Sequence, residues 1–521
     1  MIRVPATPEN ARKIFRLATK YNLNIDENLE ELFKVNAGPT KLEGFNYTLK
    51  NFQAEGVAWL ESHLGTGLLA DEQGTGKTVQ VMAYAHKNKK FPMLIVCPNT
   101  LKLNWKKEIL AMTGQQYTIN VVGAALSSKQ KAQKSQLEPN VTYSKSITFG
   151  QDIYIINYDI LAKNLNDILK IDCELMALDE SHKIKSHTSN RTEAFDQLAT
   201  GRVDYKLVSK PIPCVILMSG TPMVNKPVEL YTSVNAIAGY VPEFSNFSKF
   251  TARFCDIKFV NGYKTFSGCS NEAELNHLLK RHVMLRRLKK DVLAELPPKV
   301  YHTVPLDFDR KDYDKVELAF SGLNWEEGVK TMIKFGGNAP QYSSEITAIQ
   351  KLREIAAHSK IQSAVEWIKD YVENNNKLVV FAHNVGIIDT IARKLVQSSI
   401  DVRTIKGGMD LQDRESSIHD FQTDANVKVI VVGISVGSAG LTLTAADAVA
   451  FVQLPWSPGE ISQCADRVHR IGQDSTSVSI YNLVAENTIE ERIAEMIFRK
   501  GTMLDKVLDD GQVVNAINLI E

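Results

Sequence analysis

The chain has 521 residues, 44% hydrophobic and 23% charged, with 61 Lys plus Arg against 60 Asp plus Glu and a formal net charge of +1. That length predicts two or three domains, and the composition is that of a globular protein rather than a disordered one. No apolar run approaches the roughly 20 residues of a bilayer crossing, so no membrane partner is expected, and any nucleic-acid surface would have to concentrate its cations locally.

The first residues, "MIRVPATPENARKIFRLATK", lack the apolar core of a secretory signal and predict a short amphipathic helix within 1–40. "NFQAEGVAWL" follows as a second helix. Its Gln53 could read an adenine edge with one donor and one acceptor, or be an ordinary surface glutamine. The strand-like "GLLA" then leads into "DEQGTGKT" and a helix, the context a phosphate-binding loop requires. Gly74, Thr75 and Gly76 let successive N–H groups face phosphate oxygens. Lys77 would reach the β/γ-phosphates and the Thr78 hydroxyl would ligate Mg²⁺. The usual leading glycine is replaced by Asp71, followed by Glu72; these acids are expected to point away from the phosphates.

Short Val/Ile-rich runs recur along the chain: "MLIVCP", "IYIINY", "LMALDE", "CVILMSGTP", "LVVFAH", "VKVIVVG" and "AVAFVQL". They suit strands buried on both faces of parallel sheets, and they fall into two clusters. "LMALDE" ends in Asp179 and Glu180, a Mg²⁺ ligand and a water-polarising base, or else two acids capping a helix. The segment from about 225 to 350 lacks the alternation and reads as a mainly helical insert, with "LPPK" at 296–299 as a stiff, hinge-like piece. The six cysteines are scattered without C-x-x-C spacing, which predicts buried free thiols and no zinc site.

Further motifs surround these. Ser219 and Thr221 in "MSGTP" could couple two lobes or form a simple turn, and His182 could couple nucleic-acid sensing to hydrolysis or make a structural hydrogen bond. "VGISVGSAGLTLTAAD" offers Gly437, Gly440 and Thr442 for close approach to a backbone. Trp456 could touch nucleic acid or pack the core. "QCADRVHRIGQ" groups Gln463, Arg467 and Arg470. The two arginines, three residues apart, are expected on one helix face, as γ-phosphate ligands or as a surface ion pair.

Taken in order, "NFQAEGVAWL", "GLLADEQGTGKT", "LIVCPNTLKLNWKKEI", "ALDESHKIKS", "LMSGTPMVNKPVEL", "LRRLKKDVLAELPPK", "KLVVFAHN", "GISVGSAGLTLTAAD" and "QCADRVHRIGQ" resemble the Swi/Snf-type DNA-dependent ATPases of helicase superfamily two. The resemblance spans residues 49 to about 475. It implies an α/β fold of two RecA-like parallel-sheet lobes: a helical segment at 1–40, lobe 1 at 41–230, helical protrusions and linker at 231–350, lobe 2 at 351–485, and a brace helix with tail at 486–521. It implies ATP and Mg²⁺, with Lys77, Asp179, Glu180, Arg467 and Arg470 catalytic, Gln53, the loop and Gln463 binding nucleotide, and Thr78 and Asp179 holding metal. The DNA side would include Asn99, Thr100 and Trp105. The implied partner is double-stranded or branched DNA, met by a monomer in the cytoplasm of a bacterial or phage-infected cell, or in the nucleus if the source is eukaryotic. Alternatives are a strand-separating helicase, a fork-reannealing enzyme and a non-enzymatic scaffold.

Overall fold

The computed structural model describes residues 39–123, 138–186, 188–204, 206–223, 226–260, 263–320, 322–335, 344–374, 377–437 and 441–508. The expected N-terminal helix and Gly440 lie outside them. The chain divides into two compact units, Met1–Val292 and Leu293–Glu521.

The first unit is built on eight parallel strands: β1 (Gly67–Leu69), β2 (Met93–Cys97), β3 (Ile119–Val122), β4 (Val141–Ser144), β5 (Ile153–Asn157), β6 (Leu175–Asp179), β7 (Cys214–Met218) and β8 (Met284–Leu285). Their order across the sheet is β8-β1-β7-β6-β2-β5-β3-β4. The runs "MLIVC", "IYIIN" and "CVILM" are buried at every position, as strands covered on both faces must be. Helices α1 (Asn51–Ser62), α2 (Lys77–Lys87), α3 (Lys102–Thr113) and α4 (Tyr158–Leu161) belong to this unit. The order sets the carboxyl ends of β1, β7 and β6 side by side. Crevices outside such strand ends are where open parallel sheets bind ligands.

The second unit has six parallel strands: β9 (Lys299–Leu306), β10 (Lys377–Ala382), β11 (Asp401–Ile405), β12 (Val427–Gly433), β13 (Ala446–Phe451) and β14 (Val478–Ala485), in the order β9-β14-β13-β10-β12-β11. Helices α5 (Ser344–Ser359), α6 (Ile361–Asn374), α7 (Val385–Gln397), α8 (Pro458–Ala465) and α9 (Ile489–Leu508) accompany them. The fold is thus α/β with two parallel sheets, as expected.

The stretch expected as a mainly helical insert is instead shared between the units. It holds helices but also an antiparallel hairpin, Cys255–Val260 against Tyr263–Cys269; it gives β8 to the first sheet and β9 to the second. β9 escapes a strand reading because it is an edge strand in which only Leu306 is buried and even Val300 is exposed, so it needs no continuous apolar run. The Pro297 carbonyl accepts a hydrogen bond from His469 Nε2 at 2.7 Å, and Pro298 O accepts one from Val478 N at 2.9 Å. These bonds tie the prolines into the second unit. All six cysteines are free, and only Cys269 is not fully buried.

The start of α9 is locked to its own unit. Lys360 Nζ donates to Leu483 O at 2.6 Å and pairs with the buried Glu490 carboxylate, which also accepts from Ala485 N at 2.9 Å. Replacing Lys360 with methionine would leave that carboxylate buried without its cation. The second unit is expected to lose about 3–5 kcal/mol of stability, read by denaturant unfolding of the variant against the parent.

Candidate nucleotide-binding site

β1 ends at Leu69, and residues 70–76 turn over the sheet edge into α2. Gly74 and Gly76 sit at φ of 80° and 81°, in the left-handed region that glycine enters without strain. A Cβ on Gly76 would lie 2.4 Å from Gln53 Nε2, so no side chain fits there. Gln53 is 1% exposed and both ends of its amide are engaged: Nε2 donates to Thr75 O at 3.1 Å, and Oε1 accepts from Lys50 N at 3.0 Å. In this conformation Gln53 braces the loop from α1. Lys77 Nζ donates to the backbone carbonyls of Asp71 and Glu72, at 2.7 and 3.2 Å, and so lies across the loop's mouth. Withdrawal from water lowers the Lys77 pKa, opposed by the nearby carboxylates of Glu180, Asp71 and Asp179.

The carboxylates of the two unusual acids are both engaged by the segment at residues 287–289. Asp71 is fully buried and forms a forked ion pair with Arg287: Nη2 to Oδ2 at 2.6 Å and Nε to Oδ1 at 3.1 Å. Gln80 Nε2 adds a bond to Asp71 Oδ2 at 3.2 Å, and Glu72 accepts from the Lys289 backbone N–H at 2.8 Å. The Arg287 guanidinium also lies 5.4 Å from the centre of the Phe52 ring. Nothing in the local pattern of "LRRLKKDV" sets Arg287 apart from its basic neighbours. The available signal was chemical: buried acids beside a phosphate loop demand a cation.

At the end of β6, Asp179 accepts from Trp105 Nε1 at 2.8 Å and from Glu180 N at 3.0 Å. Burial raises the Asp179 pKa and the neighbouring Glu180 charge adds to it, while the Trp105 bond pulls the other way. Glu180 sits at φ 54°, an uncommon conformation for a residue with a side chain and one that recurs at functional sites. Its Oε1 accepts from Gln73 Nε2 at 3.2 Å. His182 Nδ1 stands 3.3 Å from Glu180 Oε2 and 3.2 Å from Ser219 Oγ. Burial pushes His182 down to about 3, so it is a neutral hydrogen-bonding link at physiological pH. Ser219 Oγ also accepts from Thr221 N at 3.2 Å, and a Cβ on Gly220 would lie 2.4 Å from Gln73 Cγ. The turn after β7 therefore packs directly on the loop after β1. Sequence spacing alone had not shown that Gln73 bridges the loop to Glu180.

These groups suit a Mg²⁺-bound polyphosphate. Two adjacent carboxylates, one with its pKa raised by burial and by the other's charge, leave negative charge that a divalent ion would offset. Thr78, the second residue of α2, offers a hydroxyl in the first turn of the helix.

Among the expected nucleic-acid residues, Asn99 and Thr100 are exposed in a turn after β2. Trp105 is not a surface contact: it is 1% exposed and points inward to Asp179. In the second unit, Gly437 is buried, and a Cβ there would lie 2.4 Å from Phe381 Cε1, so packing explains that glycine. Trp456 takes the packing alternative, 3% exposed with the Arg353 guanidinium 4.3 Å from its ring centre. Thr442 is exposed and its hydroxyl accepts from Arg470 Nη1 at 2.9 Å. Gln463 lies buried on α8.

Arg467 and Arg470 do not share a helix face. α8 stops at Ala465, and the following residues close in tight turns, with Arg467 N donating to Cys464 O and Arg470 N to Val468 O. Leu443 N donates to the Arg467 carbonyl at 2.9 Å.

A parallel sheet carrying a phosphate loop and an Asp-Glu pair at the carboxyl ends of the two strands that flank β7 defines a P-loop nucleotide-binding protein. The chain belongs to the SNF2-related family: the SNF2-related domain model matches residues 52–361, and the helicase conserved C-terminal domain matches 359–472. It is 32% identical over 87% of its length to the SWI/SNF-related matrix-associated actin-dependent regulator of chromatin subfamily A-like protein 1 of Xenopus tropicalis, covering 44% of that protein. It is 31% identical over 88% of its length to the Caenorhabditis elegans homolog, covering 61%. To the human DNA annealing helicase and endonuclease ZRANB3 it is 29% identical over 88% of its length, covering 40%. The chain thus spans less than two thirds of each of these relatives. A solved Sulfolobus solfataricus SWI2/SNF2 ATPase core in complex with dsDNA is 21% identical, over 91% of this chain and 95% of that one, with a TM-score of 0.39.

Proposed function

We propose that this protein hydrolyses ATP with DNA stimulation and uses the energy to translocate along double-stranded DNA. The observation that carries the reading is the convergence of the phosphate loop, the Asp179–Glu180 pair and the Ser219–Thr221 turn on adjoining strand ends, in a chain of the SNF2-related family. Lys77 would bind the β/γ-phosphates, Thr78 and Asp179 would hold Mg²⁺, and Glu180 would orient and polarise the attacking water. The bound Mg²⁺ would neutralise charge on the β- and γ-oxygens. Arg467 and Arg470 are the proposed source of transition-state charge stabilisation, with Gln53 and Gln463 on the nucleotide side. His182, Ser219 and Thr221 would link hydrolysis to DNA engagement. Asn99, Thr100 and Thr442 are the exposed candidates for phosphate contacts on DNA, and action as a monomer belongs to the same proposal.

A second reading is fork reannealing. It is favoured by the similarity to a protein named a DNA annealing helicase. The test is ATPase rate against single-stranded, duplex and forked DNA and RNA. Stimulation by duplex or fork is expected, and a rate indifferent to all four would overturn the reading. Because translocases of this kind grip phosphates, a fourfold rise in salt should raise the DNA concentration for half-maximal stimulation by about 40-fold if three phosphates are contacted. A salt-independent midpoint would argue against phosphate-dominated binding.

A further inference from the structure

The side chain that fixes the metal-binding carboxylate comes from outside the phosphate loop and outside β6. Trp105, on the first turns of α3, is 1% exposed and spends its indole N–H on Asp179 Oδ2 at 2.8 Å. The backbone N–H of Glu180 takes the other oxygen at 3.0 Å. Tyr158, at the start of α4 and 3% exposed, donates its hydroxyl to the Asp179 carbonyl at 2.7 Å. Main chain and carboxylate of one residue are therefore each held by a buried aromatic donor. Phenylalanine could fill much of the volume at either position, and neither would supply the bond. Each carboxylate oxygen accepts one of these bonds and has two lone-pair directions, so a direct or water-bridged metal contact remains open to it. A carboxylate oriented in advance loses less freedom when the ion arrives.

We propose that Trp105 is a positioning residue for Mg²⁺ at the nucleotide site: its indole N–H holds the Asp179 carboxylate in the rotamer that receives the ion, with Tyr158 fixing the backbone beneath it. The inference rests on the ATP–Mg²⁺ reading above. It places the metal's support on the helix whose preceding turn carries the exposed Asn99 and Thr100.

The test is binding of a fluorescent ADP analogue, titrated with Mg²⁺ and separately measured in EDTA. It compares the parent chain, Trp105→Phe, Tyr158→Phe, and a chain carrying 3-benzothienylalanine at 105 alone. That last replacement keeps the bicyclic shape and removes only the N–H donor, so it answers the question even if Trp105→Phe folds poorly. The Mg²⁺ concentration for half-maximal effect is expected to rise about 10–100-fold in the Trp105 variants, with EDTA-state nucleotide affinity unchanged. An unaltered Mg²⁺ midpoint in the benzothienyl chain overturns the inference, as does an equal loss of affinity in EDTA. Failure of the parent itself to bind nucleotide with Mg²⁺ would instead defeat the functional reading on which it stands.

Discussion

Glu180→Gln is expected to retain nucleotide binding while DNA-stimulated ATP turnover falls by about 10²–10⁴-fold, the usual contribution of a positioned general base. The substitution keeps side-chain size, and Gln73 Nε2 can still donate to the amide oxygen, as it donates to Glu180 Oε1 at 3.2 Å now. What disappears is the carboxylate that would polarise water. Lys77→Ala is expected to fail differently, losing nucleotide affinity as well as turnover, because its ammonium lies at the mouth of the loop, where the β/γ-phosphates would take the place of the carbonyls of Asp71 and Glu72. Single-turnover rates and equilibrium nucleotide binding, measured on the same preparations, separate the two. Near-normal turnover in Glu180→Gln would remove that residue from the catalytic role.

The second large effect concerns Arg287. Asp71 is completely buried and depends on the guanidinium fork, so Arg287→Met would strand a carboxylate inside the first unit. Removing one partner of a buried pair typically costs about 3–5 kcal/mol, much more than an exposed pair would. The double change Arg287→Met with Asp71→Asn should recover part of that loss, since an amide tolerates burial better than an unpaired charge. Denaturant unfolding of the first unit in the three variants measures both the loss and the recovery. A single-variant loss under about 1 kcal/mol would mean that water or another cation already screens Asp71. The same pair explains how an acidic residue stands at the head of a phosphate loop. Its charge is satisfied by Arg287, 216 residues along the chain, toward which its carboxylate is turned.

Much of this was legible without coordinates. Val- and Ile-rich runs of five to seven residues announced the central strands, because a strand covered on both faces needs apolar side chains at every position. The glycine-lysine-threonine loop and the Asp-Glu pair were legible for a similar reason: their chemistry depends on residues adjacent in sequence. Positive φ at Gly74 and Gly76 is a local demand that the residue type itself answers.

What only the tertiary structure decided are relations between residues far apart. The family resemblance implied Trp105 on the DNA side, yet α3 turns it inward to Asp179, 74 positions away. Arg467 and Arg470 had helical spacing, but α8 ends at Ala465, before them, and the Arg467 carbonyl accepts from Leu443 N instead of from a next helical turn. The hinge-like prolines are tied down by His469 and Val478, and β9 was hidden because an edge strand with one buried residue carries no continuous apolar run. In each case the deciding energy is a hydrogen bond, ion pair or buried contact whose partner the local pattern cannot name. Periodicity reports which face of a segment is apolar. The identity of the atoms that meet that face is settled only when the sheets assemble.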